Sequence, residues 1–201
     1  MSFKDLKREY IIESAKKLFL ANSIADITIK DISSLSGLGE ATIYRYFTNK
    51  VNLVIAVSLS IQQDILKLPF ENPKCTGLEQ IQNFFYLFKN IFDGNREYFK
   101  FISEFDTVYL NNIKNKDNKE YSLGLDVFYD IFVKSYEAGL KDKSIKKIDD
   151  IKLYYYTCTH SLLELCKKLA SNNSSLKQDK EVSKISEIEY LISLFISILK
   201  A

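Results

Sequence analysis

Apolar residues return every three or four positions along most of this chain, in segments separated by short polar breaks. From about residue 4 to 21, Ile11, Ala15, Leu18 and Phe19 share one face while Lys7, Arg8, Lys16 and Lys17 lie elsewhere, which predicts an amphipathic helix. After the break "NSIAD", Thr28 can cap a second, short helix, with Asp31 three residues on favouring that helix end. Ile29, Ile32 and Leu35 are expected to form its apolar side. Gly37 then suits a left-handed helix stop, which costs a residue without Cβ nothing sterically. Gly39 is placed to start a third helix, over about Glu40 to Phe47. A fourth helix is predicted over about 48–67, with Thr48 or Asn49 near its cap, before Pro69 and Pro73 interrupt the pattern. Further helical patterns cover about 77–92, 95–112, 120–139, 149–171 and 183–200, so the chain reads as all-α with about nine helices.

The third helix is too short to be stable alone and must be held by its neighbours. At about 100° per residue, Ile43 and Phe47 share a face that can pack on Ile32 and Leu18. Ala41, Thr42, Arg45 and Tyr46 fall on the other side, and Tyr44 reaches out from the flank. Burial thus accounts for two of these residues and leaves the others facing outward.

Such a face suits a DNA major groove. Ala41 permits close approach, and Thr42 can contact base edges or phosphate. Arg45 can meet a guanine or a phosphate, and Tyr44 and Tyr46 can donate to phosphate oxygens. Lys50 adds a cation near the start of the fourth helix, where free amides already favour phosphate, and Thr28 and Lys30 offer the same chemistry at the second helix. Gly39 belongs to the same candidate surface. Glu40 most simply favours the helix N-terminus, the alternative being acceptance from a cytosine amino group.

The stretch "AKKLFLANSIADITIKDISSLSGLGEATIYRYFTNKVNL", residues 15–53, resembles the DNA-binding domain of the TetR family of transcriptional regulators. The resemblance rests on Leu18-Phe19, Thr28, Ile32, Gly37, Thr42-Ile43-Tyr44, Phe47 and Lys50, with the family spacing kept throughout. It implies a helix-turn-helix DNA-binding domain over residues 1–48 and a larger helical ligand-binding and dimerisation domain over 49–201. Two departures are visible. Ser23 stands where the family usually has glycine, and Gly39 stands where a Ser or Thr is common.

The rest of the chain resembles the family in length and helical character. It is rich in rings: Phe84, Phe85, Phe88 and Phe92 recur at helical spacing, as do Tyr98, Phe99, Phe105 and Tyr109, and then Phe128, Phe132 and Tyr136. Most of these are core. The resemblance implies that the same helices surround a mostly apolar pocket for a lipophilic or aromatic small molecule, with Phe88, Phe105, Tyr109, Phe128 and Tyr155 as lining candidates. It also implies a homodimer through the helices at about 149–171 and 183–200, whose stripes include Leu162, Leu165, Leu169, Ile188, Leu191, Ile192, Phe195 and Leu199. Two reading heads could then engage a palindromic operator. The expected function is that of a homodimeric repressor released by its ligand.

Composition narrows the rivals. The chain has 201 residues, 46% of them apolar, enough for a real core, and a formal net charge of only +2, which favours no partner by itself. No run of about 18 apolar residues occurs and the N-terminus lacks a signal-peptide core, so a cytoplasmic location is expected. Cys75, Cys158 and Cys166 are odd in number and scattered, and read as reduced thiols in or near the core. His160 is the only histidine. It adjoins Ser161, but neighbours on a helix do not face each other, and Cys158 lies two positions away, the wrong spacing for a shared metal. No catalytic residues, metal site or cofactor are expected, and an enzyme is not. The rival reading is a helical small-molecule-binding or protein-interaction module without DNA binding.

Overall fold

The computed structural model describes residues 2–68, 74–108, 118–171 and 181–201, with the side chains of 108 and 118–124 excepted. Within them lie α1 (Phe3–Ala21), α2 (Ile29–Ser36), α3 (Glu40–Phe47), α4 (Lys50–Leu66), α5 (Gly77–Gly94), α6 (Glu97–Val108), α7 (Asn118–Asp142), α8 (Ile151–Ala170) and α9 (Lys184–Leu199). The segment containing Pro69 and Pro73, and the candidate Tyr109, lie outside the described residues.

Several of these helices start where a side chain can satisfy their orphan amides. Ser2 with Asp5, Thr28 with Asp31, and Thr76 with Glu79 each form a reciprocal capping box at α1, α2 and α5. Asp150 caps α8 by accepting from Leu153 N at 2.8 Å. Asn49 Oδ1 accepts from Asn52 N at 2.9 Å in the first turn of α4. Gly37 ends α2 at φ 68°, as its lack of a Cβ allows.

The chain divides into two compact units, one of residues 1–65 with 100–122 and one of residues 66–99 with 123–201. The first unit buries Ile11, Ala15, Phe19, Ile24, Ile32, Ile43, Phe47, Leu53, Val54 and Val57. Phe101 and Phe105 of α6 join that core, Phe101 stacking on Phe105 at 6.1 Å and lying 6.4 Å from Phe19. The expectation that Leu35 completes the apolar side of α2 is not met: it is 50% exposed. An eight-residue helix has room for one buried stripe, and Ile29, Ile32 and Ser36 occupy it.

The second unit is built on a ring cluster. Phe84 and Phe85 of α5, Phe132 of α7, Tyr155 of α8 and Phe195 of α9 contact one another, with Phe132 5.1 Å from Tyr155 and Phe85 5.7 Å from Phe195. Backbone meets backbone where α5 begins. A Cβ on Gly77 would lie 2.0 Å from Gly139 N, so only glycine fits there. Asp142 and Ser144 accept from the amides of Gly77 and Leu78 at 2.8 and 3.1 Å, completing the start of α5.

The stripes expected to join two chains serve this unit first. Leu162 and Leu169 of α8, and Ile188, Ile192 and Leu199 of α9, are buried in the chain's own core, while Leu165, Leu191 and Phe195 are half-buried. The apolar surface left exposed on α9 is instead Tyr190, Leu194 and Ile198, spaced by four. On α8 it is Leu153 and Tyr156, with the His160 ring tilted beside Tyr156 at 5.5 Å.

Candidate nucleic-acid interface

α3 is fixed by its two buried residues. Ile43 is fully buried and Phe47 nearly so, and the Arg8 guanidinium lies over the Phe47 ring at 5.3 Å. Full burial of two such side chains supplies roughly 3–6 kcal/mol, enough to hold a helix that would melt in isolation. Tyr10 reinforces the frame by donating from its hydroxyl to Ser36 O at 3.2 Å, and Ser33 Oγ donates to Leu38 O at 2.6 Å across the α2–α3 turn.

The predicted outward face is present. Ala41, Tyr44 and Arg45 are exposed, Thr42 and Tyr46 half-buried, and Gly39 exposed at the helix start. Gly39 has extended backbone, supplies no side-chain cap, and accepts from Thr42 N and Ile43 N through its carbonyl. Glu40 occupies the first turn, where a carboxylate favours the positive helix end. Arg45 folds back over the Tyr46 ring at 5.9 Å, which holds its guanidinium on this face.

Two residues named from sequence carry additional duties. The Thr28 hydroxyl donates to Asp31 Oδ2 at 2.6 Å and accepts from Asp31 N at 3.2 Å, so it is engaged in the cap of α2. The hydroxyl's bond, with the Thr28 amide donating to the same oxygen at 2.8 Å, holds the Asp31 carboxyl below its ordinary range. Lys50 turns its ammonium onto the α1–α2 turn, donating to Ile24 O and, at 3.3 Å, to Ala25 O. Burial lowers its pKa, partly offset by the charges of Asp26, Asp31 and Glu104. Lys30 is exposed beside them. The face is therefore mixed in sign, with Lys30 and Arg45 set among Asp31 and Glu40.

Sequence reading missed the partners of the α1–α2 turn. Ser23 donates to Glu104 Oε2 at 2.9 Å, and Ile24 N donates to the same oxygen at 2.7 Å. Ser23 was visible as a departure from the family's usual glycine; the acceptor on α6, far along the chain, was not.

Of the ligand-lining candidates, Phe105 belongs to the first unit and is buried. Phe88, Phe128 and Tyr155 belong to the second, the first two half-buried and Tyr155 buried, with burial pushing its phenol pKa up. Cys158 and Cys166 are buried and their thiols are pushed up to about 12 by desolvation; both are free, as is the half-buried Cys75. Among the described residues no group of three or more His, Cys, Asp or Glu side chains could hold a metal ion, and no helix is long and apolar enough to cross a membrane.

Comparison with known proteins places this arrangement. The model of the family described as bacterial regulatory proteins, tetR family, matches residues 11–57. Solved structures share the fold over nearly the whole chain. A TetR-family transcriptional regulator from Agrobacterium tumefaciens aligns with TM-score 0.73 at 13% identity, covering 98% of this chain and 99% of that one. Another from Mesorhizobium loti gives 0.69 at 14% identity, covering 100% of each. The transcriptional regulator FadR from Bacillus subtilis, in complex with stearoyl-CoA, gives 0.66 at 16% identity over 94% of this chain and 98% of that one. No curated protein sequence matches the chain. The matched segment runs from within α1 to within α4 and includes the helix pair whose buried anchors and outward residues have just been described. Residues 11–57 thus match the model of tetR-family bacterial regulatory proteins, and the chain as a whole shares its fold with solved transcriptional regulators described as members of that family.

Proposed function

We propose that this protein is a homodimeric repressor that reads a palindromic operator and is released from it by a small, mostly apolar ligand. The observation that carries the reading is the division of labour on α3: Ile43 and Phe47 are buried while Tyr44 and Arg45 stand exposed between them. Residues 1–48 are the reading head, with Gly39, Ala41, Thr42, Tyr44, Arg45 and Tyr46 toward the groove and Thr28, Lys30 and Lys50 toward the phosphates. Residues 49–201 serve ligand binding and pairing. Acting on DNA, the protein works in the cytoplasm.

Pairing is supported by the exposed apolar row Tyr190, Leu194 and Ile198 on α9 together with Leu153 and Tyr156 on α8. An apolar ligand is supported by the ring-rich helices of the second unit, and the FadR complex with stearoyl-CoA shows that an acyl chain is one such ligand for a protein of this fold. Ligand action needs differential affinity of a few kcal/mol between two shapes of the dimer. A module without DNA binding is the less favoured reading, because the family match falls on the reading segment itself.

The experiment is selection of duplexes from a random-sequence library by the full chain, followed by binding at fixed salt. A palindromic consensus, bound by a dimer and lost on adding an acyl-CoA or another apolar ligand from a panel, is the expected result. Failure to enrich any sequence would sink the proposal.

A further inference from the structure

The α1–α2 turn is held from two sides by residues outside it. On its carbonyl side Lys50 of α4 donates to Ile24 O and Ala25 O. On its amide side a single carboxylate oxygen of Glu104 accepts from both Ser23 Oγ and Ile24 N. Ile24 is therefore bound through its amide and its carbonyl at once, and its side chain is fully buried. The turn leads directly into Thr28, the cap of α2, and α2 carries α3 through the Ser33–Leu38 contact. Nothing in this chain of contacts depends on a flexible link.

Glu104 stands apart from the other members of the set because it comes from α6. That helix begins at Glu97, in the second unit, and ends in the first. Its inner side is locked by Phe101 and Phe105, both buried, so the carboxylate is presented by a helix whose rotation is fixed by packing. Two hydrogen bonds to one ionised acceptor are each stronger than neutral ones, and they act on backbone and side chain of adjacent residues.

We propose that Glu104 is a positioning residue for DNA reading: by accepting from Ser23 and Ile24 it fixes the α1–α2 turn and, through that turn, α2 and α3. The inference rests on the DNA-reading function of the first unit and adds to it an attachment of the α1–α2 turn to α6. Because coupling between sites is reciprocal, DNA bound at α3 must stabilise α6 through the same contact.

The test uses the full-length chain and a duplex that the parent protein selects from a random library. Loss of both bonds in Glu104→Ala weakens binding about tenfold or more, and loss of one in Ser23→Ala about threefold, by the usual worth of hydrogen bonds to charged groups. Glu104→Gln keeps an acceptor oxygen and stays near the parent. The slope of log affinity against log salt stays unchanged in all three, because no phosphate contact is lost. Amide hydrogen exchange supplies the readout that mere stability would not move. In the parent, saturating duplex slows exchange in α6; in Glu104→Ala that slowing disappears while slowing in α2 and α3 persists. Parental affinity in a folded Glu104→Ala, or α6 protection that survives the substitution, overturns the proposal. Should Glu104→Ala fail to fold, parental affinity in Ser23→Ala overturns it. If the parent selects no duplex at all, the DNA-reading function fails first, and that outcome is recognised by absence of binding in every variant.

Discussion

Lys16 Nζ on α1 lies 2.7 Å from the Asp64 carboxylate near the end of α4, and it also donates to Ser60 Oγ at 3.0 Å and pairs with Glu13 at 2.6 Å. A lysine with only a tenth of its side chain exposed is thereby given three partners. Burial works against its charge, but the hydrogen bonds to Asp64 and Glu13 outweigh it and raise its pKa. The pair ties α1 to α4. Lys16→Ala removes ammonium and stem together and is expected to cost about 1–3 kcal/mol, read as a lower urea midpoint with unchanged m. Lys16→Met keeps the buried stem and should lose less. Equal losses in both variants would show that charge alone matters.

Gly39 has extended backbone at φ −61°, and a Cβ added there would meet nothing within 4 Å. Gly39→Ser should therefore fit and supply the missing cap of α3. The gain is a few tenths of a kcal/mol, since glycine is already a tolerable N-cap. A small rise in thermal midpoint is expected; a fall would mean that the start of α3 is already satisfied in another way.

Tyr44 and Arg45 are exposed, whereas Lys50 is tied to the α1–α2 turn. Tyr44→Phe and Arg45→Ala should weaken operator binding by about 1–2 kcal/mol each without moving the thermal midpoint. Lys50→Ala should lower both. Parallel anisotropy titrations and thermal melts distinguish the two behaviours, and a Lys50→Ala protein with parental stability would remove the turn-holding role argued for it.

Asp31 and Asp142 both have carboxyl pKa values below the ordinary 3.8, Asp31 through Thr28 and Asp142 through Ser144 and Gly77. A lowered folded pKa means that the unfolded chain binds protons more readily in acid. Their contribution is thus fully present above pH 3.8 and is lost as pH falls through the lower folded values. The thermal midpoint should drop more steeply below that pH in the parent than in Asp31→Asn. Identical acid profiles would show that the cap contributes nothing in solution.

Leu194, 45% exposed, sits at the centre of the apolar row on α9. Leu194→Asp should convert a dimer to monomer in sedimentation while leaving the helical content intact, because the buried stripe of Ile188, Ile192 and Leu199 is untouched. Ile192→Asp, on the buried side, should unfold the chain. A parent that sediments as a monomer would rule out pairing altogether.

The parts of the reading head that sequence revealed are those set by neighbours in the chain. Thr28 with Asp31, Gly37 at positive φ, and the four-residue step from Ile43 to Phe47 are local devices, and each is found where the pattern placed it. What escaped were contacts between distant positions. Lys50 reaches carbonyls 25 and 26 residues away, and Glu104 reaches a turn 80 and 81 residues away. A side chain bonding to main chain leaves no periodic trace. α9 failed for another reason. "KISEIEYLISLFISIL" is apolar nearly all round, so its period could not tell the stripe used inside the monomer from the row left outside. Leu35 was misplaced because periodicity cannot say how wide a face a short helix will bury.

Between α3 and α4 stand only Thr48 and Asn49. Thr48 is held at φ 59° and ψ −43°, a conformation costly for a β-branched residue, and Asn49 N closes on Phe47 O across it. A connection so short and so tightly wound has no slack to absorb rotation. On the proposed reading of DNA, α3 is geared to α4 like a crank to its shaft: turning α4 through a few degrees would sweep α3 through a similar angle, and the exposed Tyr44 and Arg45 at its rim would travel furthest.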